Sequence, residues 1–161
     1  MDDILQLAGL PLHPLLVHAV VVLTPLVALA VLLAQFWPAA RRRLGVVTPL
    51  GALVVLVLVP VTVSAGESLA AAVGPVPAVQ LHQRYGEMLL PWTIALFVVA
   101  LAQWVWFRGG RRGVPSSRRA LARVAFTVLA VASVIVAVGT VILLVLIGDS
   151  GARAVWGGLL G

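Results

Sequence analysis

The chain has 161 residues, 62% of them hydrophobic and only 10% charged, with a mean hydropathy of +1.16. A water-soluble domain carries about 25% charged residues, so a solvent-facing globule is excluded and a single membrane domain over residues 1–161 is expected. The net charge of +6 would suit nucleic acid by magnitude, but the arginines cluster beside apolar stretches, where the positive-inside rule puts them, so no nucleic-acid partner is expected.

The N-terminus opens with Asp2-Asp3 rather than with positive charge, so the first apolar stretch reads as a retained helix and not as a cleaved leader. That stretch covers residues 15–37. At ~1.5 Å per residue it spans roughly 35 Å, enough for a ~30 Å hydrocarbon core. His13 precedes Pro14, which biases it toward extended backbone and a capping position. His18 lies one turn inside the helix. Pro25 is interior, and Pro38 ends the helix.

Arg41-Arg42-Arg43 follow, and a second stretch covers 44–65 with Pro60 inside it and Gly66-Glu67-Ser68 closing it. The third covers 82–107, opens with His82 and contains Pro91. Six arginines then lie between Arg108 and Arg123. The fourth covers 124–147, is closed by Gly148-Asp149-Ser150, and spaces Ala125, Ala132 and Gly139 seven residues apart, which suits close helix approach. Backbone in lipid must satisfy its own hydrogen bonds, so every stretch is helical. The expectation is an all-α integral membrane four-helix bundle of up-down topology, arranged as two tandem helical hairpins.

Nine of the eleven arginines fall in the two loops after the first and third stretches, while all histidines and all acids lie at the other ends. Those loops are expected in the cytoplasm and both termini outside, in a multi-pass plasma-membrane protein. Trp37, Trp104, Trp106 and Phe107 form an inner aromatic belt, and Tyr85, Trp92 and Trp156 an outer one. The arginines also suit anionic lipid headgroups.

The hairpins repeat their landmarks in order. His18, Pro25, Gln35, arginines and Gly66-Glu67-Ser68 align with His82, Pro91, Gln103, arginines and Gly148-Asp149-Ser150. A parallel repeat implies a pseudo-two-fold axis along the membrane normal. On this alignment His18 faces His82, and Glu67 faces Asp149.

Ionisable groups in membrane spans are costly and usually functional. His18 and His82 are the principal candidates, with His13, Glu67 and Asp149 as further ligands or supporting partners. Two imidazoles across a bundle suit the axial positions of haem b. Histidines with carboxylates suit a divalent metal ion. Histidine–carboxylate pairs that neutralise one another or relay protons need no cofactor. Glu67 and Asp149, placed beyond helix C-termini, call for a cationic partner. No cysteine is present, so thiolate sites, iron–sulfur clusters and c-type haem are excluded. Neither a Gly-x-Ser-x-Gly turn nor a His-Glu-x-x-His helix occurs, so the chain is not expected to be an enzyme on its own.

The run Leu10-Pro11-Leu12-His13-Pro14-Leu15-Leu16-Val17-His18 resembles the opening of the bacterial membrane family catalogued as domain of unknown function 2231. Its members have a His-Pro-x-x-Val-His run, usually followed by Phe-Pro where this chain has Ala19-Val20. Ser64-Ala65-Gly66-Glu67, the segment from His82 through Gly86-Glu87 to Leu90-Pro91-Trp92, and the segment from Gly148 to Trp156 are also similar. The resemblance implies four plasma-membrane helices and carries no established activity. Two function classes stand: a redox or metal-type cofactor protein, and a non-catalytic subunit or scaffold of a larger membrane complex. A transport pathway through so few helices would need a homo-oligomer.

Overall fold

The computed structural model describes residues 6–7, 10–74, 76–109 and 119–157. Among the described residues a short antiparallel pairing of β1 (Gln6–Leu7) with β2 (Leu10–Pro11) precedes five helices. These are α1 (Leu12–Phe36), α2 (Pro38–Leu44), α3 (Val47–Val73), α4 (Pro77–Gly109) and α5 (Arg119–Trp156). All but α2 are long and apolar enough to cross a membrane.

The helices exceed the apolar stretches that foretell them. α1 begins at Leu12, so His13 is helical and does not act as an extended cap. A proline in the first turn sacrifices no intrahelical bond, because the first N–H groups of a helix have no partner there. Trp37 is extended (φ −120°, ψ 102°), as a residue before proline prefers, and Pro38 opens α2 at its first position. This short helix carries the Arg41-Arg42-Arg43 run.

Gly66-Glu67-Ser68 does not close α3. The helix runs on through Leu69 and three alanines, all good helix formers, and stops at Gly74, whose φ of 92° breaks the spiral. Gly148-Asp149-Ser150 likewise lies inside α5, which at 38 residues extends roughly 57 Å. Glu67 and Asp149 are therefore not beyond helix C-termini, and the dipole argument for a cation beside them does not hold.

Each long helix packs on its chain neighbours, and α5 returns to α1, so α1–α3–α4–α5 form a closed ring. α1 and α4 stand diagonally and touch only slightly across the axis. The surface is inverted relative to a soluble protein. Thr24, Gln35, Thr93, Ser133 and Thr140 are fully buried, while Val22, Leu26, Val57, Val98, Ile135 and Val145 face outward. In lipid there is no gain from burying leucine, so interiors collect small and polar side chains. The apolar core between them includes Val31, Val55, Val59 and Leu96.

The two hairpins share one packing register. A shift of 69 residues carries His13, Val20, Thr24, Val27 and Val31 of α1 onto His82, Leu89, Thr93, Leu96 and Ala100 of α4. A shift of 85 carries Thr48, Ala52, Val55, Val59, Thr62 and Ala65 of α3 onto Ser133, Ala137, Thr140, Leu144, Ile147 and Ser150 of α5. Apart from the half-buried histidines, all these positions are buried. The register differs from the landmark alignment: it sets Glu87, not His82, at the place of His18, and Gly151, not Gly148, at the place of Gly66.

Candidate functional site

The register assembles a symmetric pair at the end of the bundle where α1 and α4 begin. His13 is half-buried, and its Nδ1–H donates to the Thr62 carbonyl of α3 at 2.9 Å. His82 is half-buried too, and its Nδ1–H faces the Ile147 carbonyl of α5 at 3.0 Å and the Ser150 hydroxyl at 3.2 Å. A carbonyl only accepts, so Nδ1 carries the proton in both rings. In the neutral imidazole that leaves Nε2 as a free lone pair. The ring centroids lie 6.2 Å apart with planes at 82°.

Glycine makes room for each ring. A Cβ on Gly66 would stand 2.8 Å from His13 Cε1, and one on Gly151 would stand 3.0 Å from His82 Cε1. Gly66 and Gly151 each lie one turn beyond the carbonyl that anchors the ring. Hydrogen bond, close approach and glycine thus recur as one unit in both hairpins.

The other expected site residues stay apart from this pair. His18 is exposed, and its Nδ1 turns back to the Pro14 carbonyl at 2.6 Å. Five residues at ~100° each put it about 140° around α1 from His13. Glu67 is exposed. Asp149 is exposed and pairs with Arg153 one turn on, at 2.8 Å. Such a surface pair contributes little to stability. Among the described residues no group of three or more histidines and carboxylates is placed to hold a metal ion.

A second polar layer lies at the other end of the spans. The two N–H groups of Gln103 Nε2 on α4 face three acceptors, Ser133 Oγ (2.7 Å), Gln35 Oε1 (3.1 Å) and the Val31 carbonyl (3.2 Å), so one N–H is shared. Three helices are joined there by one buried amide. Arg41 turns back from α2 and donates Nε to the Ala34 carbonyl and Nη2 to the Gln35 carbonyl, both at 2.5 Å. It covers two of the last carbonyls of α1, where positive charge is favoured. Its guanidinium lies 3.4 Å from the Phe107 ring centre. Partial burial lowers its pKa below the usual arginine value, and arginine stays charged regardless.

The sequence carries a signal for this arrangement that hydropathy alone passes over. His13, Thr24 and Gln35 are spaced eleven residues apart, which returns to nearly the same helix face. They form one polar stripe along the axis side of α1, and His82 and Thr93 repeat the spacing on α4. His18 is off that stripe. Trp92 departs from the expected outer belt: its indole packs on Gly139 of α5, where a side chain would collide with it. The space at Gly139 is thus taken by a side chain of α4 rather than by close approach of the helix backbones.

A family model described as "Predicted membrane protein (DUF2231)" matches residues 9–161. No curated protein matches the chain, and no solved structure matches it.

Proposed function

The chain belongs to the DUF2231 family of predicted membrane proteins, and from that premise we propose that its paired histidines, His13 and His82, would hold a membrane-bound metal centre, haem b iron foremost, in a redox-type protein. The observation that carries this reading is the disposition of the pair. Each Nδ1 is committed to a backbone carbonyl, the second-layer bond that orients a ligating imidazole and frees Nε2. The rings come from diagonal helices related by the internal repeat. Their ring centroids are 6.2 Å apart.

The small number of donors narrows the chemistry. A structural zinc ion wants four protein ligands, and His18, Glu67 and Asp149 do not join the pair. Haem supplies four nitrogens of its own and needs only two from the protein. When bound, it would supply one-electron chemistry at the outer face, with both termini on that side and the arginine-bearing ends in the cytoplasm. The chain's own contribution is to hold the two imidazoles by carbonyl bonds and to fix their spacing through the glycines behind them.

The test is a visible spectrum of detergent-purified protein, oxidised and then dithionite-reduced, after expression with haem supply. A Soret band with sharp reduced α and β bands, lost in His13→Ala and in His82→Ala but kept in His18→Ala, is the expected result. A featureless spectrum with one equivalent of copper per chain would keep the two-imidazole centre and replace haem by a bare ion. Folded protein with neither haem nor metal overturns the proposal. The histidines then serve only to lock the hairpins of a scaffold subunit, a role the same carbonyl bonds support.

A further inference from the structure

The end of the bundle opposite the histidines holds a cavity of about 810 Å³ between the C-terminal ends of α1 and α4, the start of α3 and α5, and α2. Arg41, Arg42 and Arg108 line it, together with Thr48, Gln103 and the aromatic faces of Trp104 and Phe107. Glu67, Glu87 and Asp149 all lie near the far ends of their helices, so among the described residues no carboxylate neutralises these three arginines. Arg41 is already fixed: Nε and Nη2 are held by the carbonyls of α1, and the stacked Phe107 sets its plane. Its remaining N–H groups are free for an acceptor.

Two buried polar atoms on residues that line this cavity lack a partner among the described residues. They are Thr48 Oγ1, on a residue 4% exposed, and Gln103 Oε1, on a residue 1% exposed. The Gln103 amide cannot be turned over to satisfy Oε1, because Nε2 faces the Val31 carbonyl, which only accepts. Gln103 Oε1 therefore calls for a hydrogen donor that the described residues do not supply, while the arginines call for an anion. A buried polar atom left unpaired costs on the order of a hydrogen bond's desolvation, so a donor-bearing ligand is favoured over an apolar one.

The geometry points to a binding site for the phosphate of an anionic lipid headgroup that also bears free hydroxyls, as phosphatidylglycerol does. The phosphate is held by Arg42, Arg108 and the free N–H groups of Arg41. The headgroup hydroxyls reach Gln103 Oε1 and Thr48 Oγ1, and the acyl chains lie against the aromatic wall. The level suits a lipid source. Gln35 is 22 residues from His13 along α1, roughly 33 Å, so this layer is at the headgroups of one leaflet when the histidines are at the other. The site is independent of any metal at the histidines.

The experiment is native mass spectrometry of the full chain released from detergent and titrated with phosphatidylglycerol, phosphatidic acid, phosphatidylcholine or glycerol 1-phosphate. Phosphatidylglycerol is expected to bind about tenfold tighter than phosphatidylcholine. Arg42→Gln with Arg108→Gln should remove most of that preference. Thr48→Val is nearly isosteric and breaks no hydrogen bond among the described residues, so it tests the hydroxyl contact in folded protein. It should lower the preference for phosphatidylglycerol over phosphatidic acid about threefold. Equal losses on replacing Arg119 and Arg123, which do not line the cavity, would overturn the site in favour of diffuse surface charge. So would binding of phosphatidylcholine as tight as that of phosphatidylglycerol. Glycerol 1-phosphate binding as tightly as the lipid would keep the headgroup chemistry and assign it to a soluble phosphate ester.

Discussion

Replacing Gly66 by alanine tests the architecture of the histidine end most directly. The added Cβ would stand 2.8 Å from His13 Cε1 and 3.0 Å from Nδ1, whereas ordinary contact begins at 3.4 Å, so the ring must withdraw by about 0.6 Å. The bond to the Thr62 carbonyl is 2.9 Å long. Stretched by that amount it reaches about 3.5 Å, the limit of a hydrogen bond. A lost bond costs about 0.5–1.5 kcal/mol, and overpacking about 1–3 kcal/mol. The better helix propensity of alanine offsets up to about 1 kcal/mol. The expected net loss is therefore near 2 kcal/mol, read from unfolding in mixed micelles with increasing dodecyl sulfate. Gly86→Ala is the control, since its Cβ meets nothing within 4 Å and should be neutral or slightly stabilising. A double-mutant cycle isolates the cause. In a His13→Ala background the ring is gone, and Gly66→Ala should cost almost nothing. Equal destabilisation in both backgrounds would refute the claim that the glycine exists to admit the histidine.

Gly139→Ala forces the Trp92 indole from its seat on α5 and should cost about 1–3 kcal/mol in the same assay, with a red shift in tryptophan emission as the ring moves. Gln103→Leu removes the two N–H groups that serve acceptors on α1 and α5 and should destabilise by about 1 kcal/mol, since each such bond in a membrane interior contributes about 0.6 kcal/mol. Adding Gln35→Leu should then cost less than it does alone, because the two amides share one bond. A phosphatase reporter fused after Gly161 should be active outside the cytoplasm, and activity confined to the cytoplasm would reverse the assigned orientation.

How much of this was legible beforehand depends on the range over which each property is set. Span number and helicity follow from local hydropathy and from the demand that backbone in lipid satisfy itself, and both are read residue by residue. The lopsided arginines belong to the same class. Helix ends were legible only roughly: Gly66 and Gly148 suggested stops, yet a glycine halts a helix only where the chain takes a conformation such as the positive φ of Gly74. A hairpin repeat was visible as a sequence of landmarks, but its register was not. Prolines and Gly-acid-Ser triplets align by composition, whereas the packing register is carried by buried positions such as Thr24 with Thr93 and Ala52 with Ala137.

The sequence by itself determined a four-span membrane protein with arginines gathered at one end and histidines and acids at the other, because hydropathy and charge act locally along the chain. That His13 and not His18 meets His82 emerged with the packed bundle. That choice depends on helical phase: five residues turn the chain by about 140°, and packing of Val20, Thr24 and Val27 against the other helices selects the inward face. The cavity under Arg41 arose the same way, from the ends of separate helices brought together by packing, with no single segment of sequence to announce it.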